Sequence, residues 1–108
     1  MICQEALSLH AEHGLRASEG HTWDSLGYAE QHLGNAGAAT ACFERALAIF
    51  RELGERFYEA DTLANLADTR NGGGDLAGAR EAWQQALKIL EDIKHPRASE
   101  IRGKLAGP

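Results

Sequence analysis

The stretches ACFERALAIF (residues 41–50) and EAWQQALKIL (residues 81–90) carry an aromatic residue, then Ala-Leu, then Ile and a bulky apolar residue at the same offsets, 40 positions apart. Sliding the whole chain by that interval extends the match. Thr22/Thr62, Leu26/Leu66, Gly34/Gly74, Ala39/Ala79, Ala46/Ala86, Leu47/Leu87 and Ile49/Ile89 coincide. Trp23/Leu63, Gly27/Ala67, Asn35/Asp75, Phe43/Trp83 and Phe50/Leu90 are near-equivalents. The coincidences fall on apolar and turn residues while the intervening charges drift. One structural unit is therefore present twice, each copy burying the same face.

Each unit has two helical halves. Trp23, Leu26, Glu30 and Leu33 recur at three- and four-residue spacing until Gly34-Asn35 breaks the pattern. Ala39, Phe43, Ala46, Leu47 and Phe50 then share one side of a second helix, which Gly54 is placed to cap. The next copy starts near Arg56, breaks at Gly72-Gly73-Gly74-Asp75 and runs to about Lys94, where Pro96 forbids simple continuation. Small residues (Gly27, Ala39 and Ala46; Ala67, Ala79 and Ala86) let helix backbones approach while Phe43 and Trp83 fill the space between. Cys3, Ala6, Leu7 and Leu9 stand 40 before Phe43, Ala46, Leu47 and Ile49. Residues 2–13 thus read as a second-type helix without its partner. At the other end ASEIRGKLAG (98–107) reads as a further first-type helix, with Ile101 and Leu105 inward and Arg97, Arg102 and Lys104 solvating its outside. The expected architecture is all-α: a right-handed α-solenoid of stacked antiparallel pairs, with about six helices near 2–13, 19–33, 36–53, 57–71, 76–94 and 97–106. As one domain it divides into a half repeat (1–15), two repeats (19–55 and 57–95) and a capping helix (97–108).

The totals agree with one domain. At 108 residues the chain buries about 65% of its unfolded surface. A net charge of −5 makes nucleic acid an unfavourable direct partner and a basic or mixed-charge protein surface a better one. Two cysteines, Cys3 and Cys42, lie in apolar-periodic segments and read as small buried hydrophobes of a reducing compartment. No apolar run is long enough to span a membrane, and MICQEALSLH lacks the basic start of a secretory signal. The expected location is the cytoplasm.

These residues resemble the tetratricopeptide repeat, whose signature is W-x2-L-G-x2-Y, then A-x3-F with Ala three residues on and a late Pro. The chain offers Trp23-x2-Leu26-Gly27 with Ala39-x3-Phe43-x2-Ala46, and again Leu63-x2-Leu66-Ala67 with Ala79-x3-Trp83-x2-Ala86. Glu30 and Arg70 stand where Tyr is expected, and Arg51 and Glu91 where Pro is expected. With a period of 40 rather than the usual 34, the second helix of each pair continues for a further turn. A narrower likeness, carried by residues 52–69, 74–90 and 95–105, is to the C-terminal repeats of large actinobacterial transcriptional regulators of the antibiotic-regulatory, ATPase-linked class. It implies a regulatory, bacterial setting.

Chemistry is sparse. Gly72-Gly73-Gly74 lacks the strand and Lys of a phosphate-binding loop and reads as a turn. His10 and His13 share a helix face near His21, without acidic or cysteine partners placed to complete a metal site. No catalytic residue, metal or cofactor is expected. Trp23, Phe43, Phe57 and Trp83 occupy packing positions, and Phe57-Tyr58 is placed to staple the following helix. The resemblance implies a concave groove lined by first-type helices: His21, Asp24, Ser25, Tyr28 and Gln31, then Asp61, Ala64, Asn65, Asp68 and Asn71. Relatives that clamp a carboxylate place cations there, whereas Asp24, Asp61 and Asp68 would repel one and attract Lys or Arg. Asn65 offers a peptide backbone both a donor and an acceptor. The expected function is a protein-interaction scaffold that binds a peptide or helix of a partner. A second expectation is an oligomerisation module of a transcriptional regulator. There Ile2, Ala6, Leu7 and Leu9 form an apolar face through which the chain pairs as a homodimer, and Leu7→Glu would leave a monomer.

Overall fold

The computed structural model describes residues 2–107, with side chains from residue 12 onward. Five helices follow one another: α1 (Ile2–His32), α2 (Ala36–Leu53), α3 (Arg56–Gly72), α4 (Leu76–Asp92) and α5 (Ala98–Ala106). No strand occurs among the described residues. Each helix packs on its successor, so α1 with α2 and α3 with α4 form pairs, α2 joins the pairs, and α5 closes on α4. This is the stacked-pair solenoid that the repeat implied, with five helices in place of about six.

The repeat is visible in the backbone bonds. Asn35 N–H donates to Glu30 O and Gly34 N–H to Gln31 O; Asp75 N–H donates to Arg70 O and Gly74 N–H to Asn71 O, at matching distances of 2.9 and 3.1 Å. The ends of α2 and α4 also match. Glu55 N–H reaches Phe50 O, and His95 N–H reaches Leu90 O. Gly54 turns there with φ 69°, and Lys94 takes the equivalent position with φ 55°. For Lys94 the left-handed backbone costs on the order of 1 kcal/mol, held in place by the packing on either side.

Phe43 and Trp83 sit on like elements, α2 and α4. Phe43 is fully buried with Ala39 and Leu66. Trp83 belongs to a larger cluster that joins Leu47, Ala60, Leu63 and Leu90 to Ile101 of α5. The small residues do the work expected of them: a Cβ added to Gly27 would lie 2.8 Å from the Phe43 ring. Cys42 is buried, as expected of it. The side chain of Cys3 lies outside the described residues.

Two expectations are corrected. The helices near 2–13 and 19–33 are one, α1, running without interruption through Gly14. Trp23, Leu26 and Leu33, expected inside, are half-buried, 44% exposed and 72% exposed, whereas Leu63 and Leu66 are each 2% exposed. The reason lies in the stacking order. α3 lies between α2 and α4, while the corresponding face of α1 has no second-type helix against it among the described residues.

Candidate partner-binding groove

The residues expected in the groove come from α1 and α3, and the structure brings a third first-type helix, α5, beside them. Asp24 is half-buried between α1 and α3. Its Oδ1 accepts from Thr62 Oγ1 and from Asn65 Nδ2, both at 3.3 Å. Burial pushes the Asp24 carboxyl up from its usual range, against the hydrogen bond from Asn65, with the Asp61 charge adding to the rise. Asp61 pairs with the Arg97 guanidinium. Asp68 accepts from Lys104 Nζ at 3.0 and 3.3 Å. Each carboxylate of the expected acidic row is therefore engaged by donors of the next first-type helix.

This corrects the reading of α5. Arg97 and Lys104 do not solvate its outside; they face α3 and pair with Asp61 and Asp68, and of the three only Arg102 turns away, to Glu91 at 2.7 Å. The missed signal is a spacing of 36 residues, one repeat less one helical turn, which separates Asp61 from Arg97 and Asp68 from Lys104. The same step joins Arg16 to Glu52 and Arg56 to Asp92.

Polar and aromatic groups remain open. Tyr28 is 54% exposed, its ring 4.2 Å from that of His32, which is itself hydrogen-bonded to the Tyr28 carbonyl. Ser25 and Asn71 are exposed and Gln31 is half-buried. His21 is also exposed, but its ring packs edge-on against Tyr58 at 4.4 Å and lies 5.0 Å from Phe50, tying α1 to the start of α3. Ala64 is buried and does not line the groove. Asn65 spends its amide on Asp24. The tyrosine positions taken by Glu30 and Arg70 serve the turns instead: Asn35 Nδ2 donates to Glu30 at 2.8 Å, and Arg70 donates to the Gly78 carbonyl at 3.3 Å.

Other expected sites separate from the groove. His13 meets Glu55 at 3.0 Å, and the side chain of His10 lies outside the described residues. No group of three or more metal-ligating side chains is gathered among the described residues. Ile2, Ala6, Leu7 and Leu9, the expected self-association face, lie outside the residues whose side chains are described. Phe57 packs against His95 at 4.8 Å and Tyr58 against Phe50 at 5.4 Å, so this pair ties the start of α3 both to the preceding helix end and to the α4–α5 turn. No described helix is long and apolar enough to cross a membrane.

A family model described as tetratricopeptide repeat matches residues 18–92. No curated protein and no solved structure matches the chain. The narrower likeness to actinobacterial regulators finds no support in these comparisons.

Proposed function

From the chain's membership of the tetratricopeptide-repeat family, a non-catalytic scaffold family that generally mediates contacts between proteins, we propose that it holds a peptide or helix of a partner in the concave groove formed by α1, α3 and α5. The carrying observation is Tyr28, a large aromatic left exposed on a first-type helix with its ring tilted against that of His32. Exposed tyrosines of this kind are over-represented among the residues that dominate binding energy. Ser25, Gln31 and Asn71 supply hydrogen bonds beside it. The partner's basic residues are drawn by the net charge of −5. With the aspartates already paired, shape and hydrogen bonding contribute more to affinity than charge does. A regulatory role in a cytoplasmic, bacterial setting belongs to the same proposal.

The test uses a partner recovered with the chain as bait and then titrated against the native chain and a Tyr28→Ala/Gln31→Ala variant. Binding weakened by about tenfold or more, with modest salt dependence, is expected. Unchanged affinity contradicts the groove. A second reading is favoured by Leu26, 44% exposed where its counterpart Leu66 is 2% exposed: self-association through the open face of α1. Sedimentation of the native chain and of Leu26→Glu separates the two readings, since only self-association yields a dimer that the variant loses.

A further inference from the structure

A cleft of about 410 Å³ opens at the C-terminal end of the stack, between α3, α4 and α5. Ile101 and Leu105 of α5 pack on the Trp83 cluster, whereas Gly103, between them in sequence, lines the cleft and brings no side chain to it. A Cβ added at Gly103 meets nothing within 4 Å.

The lining says what the cleft would accept. Trp83, 7% exposed, forms part of its wall. The rim is cationic within an acidic chain. Lys104 pairs with Asp68 and lies 5.8 Å from the Trp83 ring centroid. Arg80 has no carboxylate partner among the described residues and donates to the Leu105 carbonyl at 3.1 Å. Leu76, 61% exposed, extends the apolar wall to the surface.

We propose that this cleft seats a leucine-sized side chain of a partner protein against Trp83, with an acidic neighbour of that residue meeting Arg80 at the mouth. The proposal rests on the protein-binding reading above, and it assigns the anchor residue and the charge of its neighbour.

The test is titration of the full chain, followed by tryptophan fluorescence, with the blocked peptide acetyl-Ala-Leu-Glu-Ala-amide and with its Leu-to-Ala and Glu-to-Lys versions. The first is expected to bind most tightly and each replacement to weaken binding, the loss of the leucine by about tenfold. Gly103→Leu fills the cleft from within and, being helix-favouring, keeps or raises the melting temperature; it is expected to weaken peptide binding by about tenfold or more. Equal binding of the three peptides, native-like binding by Gly103→Leu, or no binding at about 10 mM peptide overturns the proposal. Dimerisation of the native chain abolished by Gly103→Leu also overturns it, assigning the cleft to a second copy. None of these results decides the partner titration with the Tyr28 variant, so the cleft and the groove fail separately.

Discussion

Single residues show that the same amino acid does opposite jobs in this chain. Gly27 faces the Phe43 ring so closely that a Cβ would intrude at 2.8 Å, and Phe43 is fully buried with nowhere to move. Gly14, also within α1, has nothing within 4 Å. Gly27→Ala is therefore expected to destabilise by about 1 kcal/mol net, overpacking exceeding the gain in helix propensity, while Gly14→Ala stabilises by about 0.5–1 kcal/mol. Urea unfolding of the two variants reads both signs. Asp24 supplies a pH signature. Its carboxyl is raised by burial, so its favourable contribution is present below the ordinary carboxylate value and is lost as pH rises through the folded value. Asn at this position keeps an Oδ1 for both Thr62 and Asn65. Asp24→Asn is expected to be at least as stable as the native chain near about pH 7, with the difference shrinking toward about pH 4.

At the scale of elements, caps and turns separate what was legible in the sequence from what was not. The helix-pair register was legible because packing residues and turn glycines recur together, and the matching hydrogen bonds at Asn35 and Asp75 follow from it. The cap chemistry differs between copies. Asp75 accepts from Gly78 N–H at 2.9 Å, whereas Asn35 makes no side-chain cap and turns its amide to Glu30. Asp75→Ala should cost about 1 kcal/mol and Asn35→Ala distinctly less, measured by thermal unfolding. The continuity of α1 was not legible, because Gly14 stands where Gly54 ends α2. The Arg51–Glu59 ion pair spans the Gly54 turn at 3.1 Å. Ala11 occupies the position equivalent to Arg51, so the earlier copy has no such tie and a glycine alone does not stop a helix. In the groove, the row of aspartates was legible from the motif. Their partners Arg97 and Lys104 were not, since a cation near the chain's end reads as solvated until α5 is placed beside α3.

Across the whole molecule, extents of 57 × 31 × 16 Å describe an elongated stack in which each helix is stabilised by its neighbours in sequence. Stability in such an array is a sum of nearest-neighbour terms, highest where both flanks are covered. α3 has α2 on one side and α4 on the other, and its Ala60, Leu63, Ala64, Leu66 and Ala67 are buried. α5 spans nine residues and buries two, Ala98 and Ile101. The same one-dimensional logic leaves a face of α1 open, with Leu26 44% exposed where Leu66 is 2% exposed. Residue-resolved amide hydrogen exchange tests this account most directly. Protection should peak in α3 and in the facing turns of α2 and α4, and fall toward α5 and toward the α1 residues beyond α2. Exchange in α3 as fast as in α5, or one uniform level of protection across all five helices, would contradict a stack of repeated helix pairs.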